Sequence, residues 1–224
     1  MKTKDFLATV DYAILKPEVS MHTLLDATEL CTELGVGCLC VKSCDVTFVA
    51  ECLKGSETKV AAVVGFPHGN TTATLKAMEA QLAVAQGADE IDMVINVSAL
   101  KDADVEYVTD EIHSVVTAVW PHRVKVILET ALLTDAEIKK GVACAIKAEA
   151  AFVKTSTGFA ASGATPHAVK LMITAAKGKV QVKASGGIRT REEAETYLEM
   201  GCTRLGVGDV LGLLTNAERK RYGL

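Results

Sequence analysis

Charged side chains interrupt several apolar runs of this 224-residue chain, in a pattern that suits the chemistry of amines. Lys154 and Lys183 each end a short apolar run, and Asp92 lies inside another one. A lone lysine at such a position is usually solvated or paired with an acid. Two lysines that end successive runs, with an aspartate in a neighbouring run, indicate instead that the three side chains act together.

Two ammonium groups that are held close together disfavour double protonation, so the pKa of one falls and a neutral amine forms near pH 7. Lowering a lysine pKa from ~10.4 to ~7 requires roughly 4–5 kcal/mol of differential interaction. A neutral amine attacks an aldehyde to form a Schiff base, whose iminium group withdraws electrons while a carboxylate or water moves protons. Lys154, Lys183 and Asp92 would therefore suffice for carbon–carbon bond cleavage, with no metal and no organic cofactor.

Glycine-rich segments follow the last two apolar runs and precede predicted helices. Gly186 and Gly187 form the first segment, while Gly206, Gly208 and Asp209 belong to the second. Loops of this kind at the end of a barrel often bind the phosphate of a substrate through backbone amides and a helix N-terminus. Simple loop closure by glycine is the alternative interpretation.

Short β-branched runs alternate with longer helical stretches along the whole chain. The predicted strands are Val10–Leu15, Val36–Val41, Lys59–Val64, Glu90–Ile95, Arg123–Glu129, Ala151–Thr155, Val180–Ala184 and Thr203–Val207. The predicted helices are Met21–Leu34, Val46–Cys52, Thr72–Gln86, Asp104–Val119, Asp135–Ala148, Pro166–Ala176, Arg191–Met200 and a short C-terminal one over Val210–Glu218. Thr134 and Thr190 each begin a Thr-x-x-Glu sequence, which caps helix N-termini.

Eight strand–helix units without a linker between them predict a single (β/α)8 TIM barrel that comprises residues 1–224. A doubly wound open sheet is the second choice, but it normally carries a glycine-rich dinucleotide loop after its first strand, and this chain has none there. Side chains alternate along a strand with a period of two, so Lys154 and Lys183 can both point into the mouth of the barrel.

Composition narrows the classes of function. Aromatic residues are only 4% of the chain, so the core consists mainly of Ala, Val, Leu and Ile. The formal net charge of -4 disfavours nucleic acid as a partner, and no apolar run approaches the ~20 residues that span a bilayer. Seven cysteines, an odd number, argue against a disulfide framework. We therefore expect a cytoplasmic protein that acts on small molecules.

The residues that bind metals in other proteins lack suitable spacing here. Cys38, Cys40 and Cys44 do not form a Cys-x-x-Cys pair and have no histidine nearby, so we interpret them as ordinary buried thiols. The histidines are scattered along the chain, at His22, His68, His113, His122 and His167. A metal-dependent aldolase would need them in a cluster.

The sequence closely resembles the deoxyribose-phosphate aldolase family of class I aldolases over nearly its whole length. The most specific segments are Phe152–Phe159 and Lys183–Thr190, and Val64–Gly69, Glu90–Asn96 and Val124–Thr130 also match family signatures. The resemblance implies a (β/α)8 fold and reversible cleavage of 2-deoxy-D-ribose 5-phosphate to acetaldehyde and D-glyceraldehyde 3-phosphate. It is compatible with a homodimer or a monomer.

The resemblance also implies roles for individual residues. Lys154 matches the Schiff-base lysine, Lys183 matches a second lysine that perturbs it and relays protons, and Asp92 matches the acid/base aspartate. Lys125 matches a lysine beside the site, which we interpret as electrostatic support. The candidate substrate-binding residues are Asp11, Lys125, Thr155, Gly186, Gly187, Arg189, Gly206, Gly208 and Asp209.

The chain departs from the family pattern near the expected substrate. Ala13 replaces a hydroxyl residue of the first strand, and Lys42-Ser43 replaces an Asn-Pro common in bacterial members. Gly208 and Asp209 stand where many members have small hydroxyl residues. An aspartate there either caps a helix or repels a phosphate dianion.

Other functions stay open at this point. The same chemistry could act on a non-phosphorylated or otherwise altered aldol. A barrel that isomerises a phosphorylated metabolite without a Schiff base and a non-catalytic paralogue are two further classes, and the intact set of Lys154, Lys183 and Asp92 argues against the latter. The sequence also leaves open whether Tyr222 in the C-terminal tail reaches the site.

Overall fold

The computed structural model describes residues 2–223, and its parallel strands form a closed barrel. The strands are β1 (Val10–Ile14), β2 (Cys38–Val41), β3 (Lys59–Val64), β4 (Glu90–Val94), β5 (Arg123–Ile127), β6 (Phe152–Lys154), β7 (Gln181–Ser185) and β8 (Arg204–Val207). Each strand pairs with the next along the chain, and β8 pairs with β1 to close the sheet. The prediction of a (β/α)8 TIM barrel is confirmed, and the open sheet is excluded.

Helices follow the strands and cover the outside of the barrel. They are α1 (Thr3–Leu7), α2 (Met21–Leu34), α3 (Val46–Cys52), α4 (Ala73–Ala85), α5 (Val97–Lys101), α6 (Val105–Val119), α7 (Asp135–Lys147), α8 (Pro166–Ala176), α9 (Arg191–Glu199) and α10 (Asn216–Arg221). The sequence did not predict α1 and α5, which have only five residues each. Among residues 2–223, no helix is both long and apolar enough to cross a membrane.

The capping signals explain where several helices begin. The predicted capping boxes are confirmed, because the hydroxyls of Thr134 and Thr190 each accept the backbone amide three residues on. The single C-terminal helix predicted over Val210–Glu218 is wrong. A 3-10 turn occupies Leu211–Leu213, and a third capping box at Thr215 begins α10 instead. Two separate cap signals therefore divide this segment into two elements.

The predicted fifth strand is two residues too long. β5 ends at Ile127, and Glu129 has a φ of 58°, in the left-handed region that turns the chain away from the sheet. Such a conformation is uncommon for a residue other than glycine, and strand propensity gives no sign of it. The turn places the Glu129 side chain at the catalytic end of the barrel rather than within the sheet.

Strand side chains that face outwards pack against the helices and form the main core, as Leu39, Ile91 and Val153 do. The inward side chains change character around the barrel. On β2 and β3 they are small or apolar and include Cys40 and Val63. On β4 to β8 they include the charged residues discussed below. Burial on both faces explains why these parallel strands read as nearly continuous apolar runs.

Candidate active site

Strand register brings the three predicted catalytic residues together. Lys154 of β6 pairs directly with Lys183 of β7, and Asp92 of β4 pairs with Lys125 of β5. Directly paired residues point to the same side of a sheet. In a barrel that side is the interior, so side chains separated by up to 91 residues in sequence meet there.

The two lysines share one carboxylate oxygen. Lys154 Nζ and Lys183 Nζ both lie 2.8 Å from Oδ2 of Asp92, so the two nitrogens lie within twice that distance of each other. Lys125 Nζ lies 2.6 Å from Oδ1 of the same carboxylate. All four side chains are buried. Asp92 is therefore the hub of a desolvated cluster of three lysines.

Burial and charge act in opposite directions in this cluster. Burial alone would raise the pKa of Asp92, but the positive charges of Lys125, Lys154 and Lys183 outweigh it and hold that pKa well below its usual range. Burial alone would lower the pKa of Lys183, whereas its attraction to Asp11 and Asp92 raises it. Lys183 is thus a fixed cation beside Lys154, and Asp92 is a fixed anion.

A second layer of charges lies beneath the first. Lys183 Nζ also donates to Asp11 Oδ2, and Arg204 Nη1 lies 2.8 Å from Asp11 Oδ1. Glu90 Oε2 lies 2.7 Å from Lys125 Nζ, and Glu90 Oε1 accepts a hydrogen bond from Arg204 at 3.3 Å. Despite complete burial, the neighbouring cations lower the pKa of Asp11 to about 2. The cluster therefore brings together four basic side chains and three carboxylates.

This arrangement leaves little room for a metal ion. Asp11, Cys38 and Glu90 place ligand atoms within 4.8 Å of one another, which is a distance that suits a metal site. However, Lys125 and Arg204 already contact both carboxylates, and a further cation would be repelled at that point.

The cysteines differ in exposure. Cys38 and Cys40 are buried as predicted, whereas Cys44 is exposed, so the expectation of a buried thiol was wrong for Cys44. Burial, reinforced by the negative charge of Asp92, raises the pKa of Cys40 to about 11. Cys40 is therefore a neutral thiol near pH 7 and does not compete as a nucleophile with the amine beside it.

A cavity of about 570 Å³ opens above the cluster, and we call it the lysine cavity. Lys154 and Lys183 lie in its lining, together with four of the predicted loop glycines: Gly186, Gly187, Gly206 and Gly208. Asp92, Asp11 and Lys125 lie beneath these lysines and are completely buried. Ala13 also lines the cavity, so the hydroxyl that the family pattern would place there is missing at the cavity wall.

Besides Asp11 and Lys125, three more of the predicted substrate-binding residues do not line the lysine cavity. The Thr155 hydroxyl is buried and bridges β6 to β7, donating to the Ser185 carbonyl and accepting its amide. Arg189 is exposed, and its amide donates to Glu193. Asp209 is exposed just beyond Gly208.

The Asp209 carboxylate turns back onto its own loop. Its Oδ1 accepts the backbone amides of Leu211 at 2.9 Å and Gly212 at 3.2 Å. These are the amides at the start of the 3-10 turn that an anion would otherwise approach. Asp209 therefore both caps the 3-10 turn and places a negative charge beside Gly208.

Tyr222 does not line the lysine cavity either. It lies in a groove with Gly35 and Gly55, which belong to loops that precede strands. Such loops lie at the N-terminal end of a barrel, opposite the catalytic end.

Sequence reasoning missed several buried charges. Glu90 and Arg204 belong to the central cluster. Glu90 lies two residues before Asp92, and Arg204 lies two residues before Gly206, both of which the sequence had already singled out. The period of two could have found them. Lys76 of α4 is completely buried, with its Nζ 2.7 Å from the Val94 carbonyl and 2.6 Å from Glu111 Oε1. Helical periodicity gives no sign of that pair, which holds the C-terminal end of β4.

The fold and the site together define an aldolase that is built on a (β/α)8 barrel. The model of the DeoC/LacD family of aldolases matches residues 5–213. The chain is also 45% identical to the deoxyribose-phosphate aldolase of Clostridium perfringens strain SM101, over 92% of each protein. It is 40% identical to that of Mycoplasma capricolum, over 94% of this chain and 95% of the other.

The chain therefore belongs to the DeoC/LacD family of aldolases, and the predicted class of enzyme, a carbon–carbon lyase of the deoxyribose-phosphate aldolase type, is confirmed.

Solved structures agree with this assignment. An aldolase designated QR15 superposes with a TM-score of 0.90 at 38% identity, covering 93% of this chain and 94% of that one. A deoxyribose-phosphate aldolase from Aeropyrum pernix, described as having a unique tetrameric structure, superposes with a TM-score of 0.89 at 27% identity, over 100% of this chain and 94% of that one.

Proposed function

We propose that this protein cleaves 2-deoxy-D-ribose 5-phosphate reversibly to acetaldehyde and D-glyceraldehyde 3-phosphate, through a Schiff base on Lys154. The observation that carries the proposal is the pair of lysine amines that share Oδ2 of Asp92 at the base of a cavity. Lys154 and Lys183 both reach this cavity, but the two carboxylates that contact Lys183 hold it as a cation. Lys154 contacts only one carboxylate, that of Asp92, so it is the better candidate for the nucleophile.

The reaction begins at the aldehyde carbon of the open-chain sugar. Lys154 Nζ adds to that carbon, and loss of water from the carbinolamine leaves an iminium group. A base then takes the proton of the C3 hydroxyl, the C2–C3 bond breaks, and its electron pair moves into an enamine while C3 becomes the aldehyde of the released product. Protonation of the enamine at C2 and attack of water on the resulting iminium release acetaldehyde and the free amine.

Asp92 and Lys183 serve the proton transfers of this sequence. Asp92 lies 2.8 Å from Lys154 Nζ, within reach of a proton on the carbinolamine nitrogen, and one intervening water would extend its reach to the C3 hydroxyl. Lys183 stabilises the Asp92 anion and places a positive charge beside the neighbouring amine.

Covalent trapping tests the nucleophile. Acetaldehyde plus borohydride should add a reduced two-carbon group to the peptide that contains Lys154, as read by mass spectrometry. The Lys154→Arg variant, which keeps the charge but not the nucleophilic amine, should show no adduct. A clean adduct on Lys183 with Lys154 unmodified would overturn the assignment, and the absence of any adduct would favour an isomerase without a Schiff base.

A second substrate is favoured by one observation, which is the carboxylate of Asp209 beside the lysine cavity. Because Asp209 occupies the amides of Leu211 and Gly212, it both removes donors and adds a like charge where a phosphate would approach. Two unit charges at ~4 Å repel by about 4 kcal/mol at an effective dielectric of 20. We therefore propose, as the alternative substrate, an aldol whose far end carries a neutral hydroxyl that donates to Asp209.

The two substrates are separated by kcat/KM for 2-deoxyribose and for its 5-phosphate, measured in the wild type and in a Gly208→Ser, Asp209→Ser double variant. If Asp209 sets specificity, the variant gains on the phosphate by more than about tenfold and loses on the free sugar. If the wild type prefers the phosphate by many thousandfold and the variant changes nothing, Asp209 is a cap alone.

A further inference from the structure

Two cavities lie at the catalytic end of the barrel, and they share a wall. The second cavity measures about 540 Å³, and the loops after β3 to β6 surround it. Thr157 and Phe159 line both this cavity and the lysine cavity. The segment from Thr157 to Phe159, which we call the β6 wall, therefore separates one space from the other.

The two cavities extend in opposite directions from Lys154. The lysine cavity runs towards the loops of β7 and β8, where Gly186 and Gly208 lie. The second cavity runs towards the loops of β3, β4 and β5, with Val97 and Leu132 in its lining. In an aldol bound to Lys154, an acceptor part that lies towards the glycine loops leaves the donor part facing the β6 wall.

Buried hydrogen bonds hold the β6 wall. The Glu129 carboxylate accepts both the hydroxyl and the backbone amide of Thr157, the amide at 3.3 Å. The Thr157 hydroxyl oxygen in turn accepts the Phe159 amide at 3.0 Å. Glu129 is itself buried and adopts a φ of 58°. Such a conformation persists where the surrounding structure holds it, often at functional sites.

An aromatic contact completes the wall. The ring of Phe159 meets that of Phe66 edge to face, with ring centroids 5.3 Å apart and planes at 90°. This geometry is a favourable one for aromatic pairs. Phe159 is nonetheless 47% exposed, so its ring is not a core residue whose packing supports the barrel. Its position between two cavities indicates a role in selecting the molecules that bind in them.

We propose that Phe159 sets the size of the donor aldehyde that reacts with Lys154, by closing the lysine cavity on the side of the second cavity. A two-carbon aldehyde fits within the closed cavity. When an acceptor occupies the glycine-loop end of the lysine cavity, a longer aliphatic donor can extend its chain only through the β6 wall. Opening the wall would give that chain the apolar surface of Val97 and Leu132. The inference rests on the proposed Schiff base on Lys154, and it adds a limit on the size of the donor aldehyde.

The test compares aldol addition across donor lengths. Wild type, Phe159→Ala and Phe159→Leu are each supplied with D-glyceraldehyde 3-phosphate as acceptor and either acetaldehyde or hexanal as donor, and the rates of aldol addition are read by mass spectrometry of the products. The ratio of the hexanal rate to the acetaldehyde rate should rise by about tenfold or more in Phe159→Ala, since each methylene in an apolar pocket is worth about that factor. Phe159→Leu should lie between the other two.

The matched control is Leu132→Ala, which enlarges the second cavity but leaves the β6 wall in place, because Leu132 lines only that cavity. Its ratio should equal that of the wild type. An unchanged ratio in both Phe159 variants, or an equal rise in Leu132→Ala, would overturn the proposal. No borohydride-trapped acetaldehyde adduct on Lys154 of the wild type would instead overturn the Schiff base itself, so the two failures are distinguishable.

Discussion

Replacement of Lys183 by Met would test the electrostatics of the site most directly. The change removes one basic group from a cluster of four basic side chains and three carboxylates, so three of each remain. Asp11 keeps Arg204 at 2.8 Å and Lys125 at 3.4 Å as partners, so we expect the fold to tolerate it. The buried slot suits Met, whose side chain has nearly the same length as that of Lys.

The size of the effect follows from the shared oxygen. The Lys154 and Lys183 nitrogens both lie 2.8 Å from Asp92 Oδ2, which allows a separation of ~5 Å between them. Two unit charges at that distance repel by about 3 kcal/mol at an effective dielectric of 20. That energy corresponds to about two pH units. Without Lys183, Asp92 also attracts a protonated Lys154 more strongly, and this attraction adds to the effect of the lost repulsion. An interaction of that size corresponds to about a 100-fold change in activity near pH 7.

The assay is the pH dependence of kcat/KM for the retro-aldol reaction. In Lys183→Met, the acidic limb should shift to higher pH by about two units, with activity near pH 7 reduced about 100-fold. Lys183→Arg is the control, because it keeps the charge and should leave the limb where it is, even if turnover falls. An identical pH profile in wild type and Lys183→Met would refute the electrostatic role. Circular dichroism would exclude loss of fold as the cause.

Asp92→Asn should lower kcat by about 10²-fold or more, because it removes the proton acceptor 2.8 Å from Lys154, and full activity in this variant would exclude Asp92 from the mechanism. Exhaustive chelation should leave the activity unchanged, since Lys125 and Arg204 occupy the carboxylates that would bind a metal, and loss of activity restored by zinc would contradict this expectation. The pKa of Asp11 is lowered from 3.8 to about 2, so its carboxylate should contribute about 2 kcal/mol to the free energy of unfolding. This contribution is present above pH 4 and is lost as the pH falls towards 2. Urea unfolding of wild type and Asp11→Asn across that range measures it, and a stability difference that does not depend on pH would contradict the assignment.

The residues of greatest chemical interest could be predicted from the sequence. A lysine or aspartate inside a buried apolar run is conspicuous because burying an unpaired charge is unfavourable. For this reason Lys154, Lys183 and Asp92 stood out, and their convergence followed from the period of two on adjacent strands. Helix bounds were predictable to within one residue at most ends, because capping and periodicity depend on residues three or four apart.

The partners of these charges could not be predicted in the same way. Asp11 contacts Lys183 and Arg204, 172 and 193 residues further along the chain, only because β8 pairs with β1 when the barrel closes. Glu129 was predicted as the end of a strand, yet tertiary contacts hold it in a left-handed conformation that its own propensity disfavours.

The sequence by itself determined the order of strands and helices, the barrel that they form and the presence of Lys154, Lys183 and Asp92 in its buried strands. Local rules suffice for these features, because they depend on neighbours along the chain. The tertiary structure decided which charges meet, that the Asp209 carboxylate turns back onto its own amides, and that Phe159 stands between two cavities. These features depend on strand register and on loops that come together only when the barrel is closed.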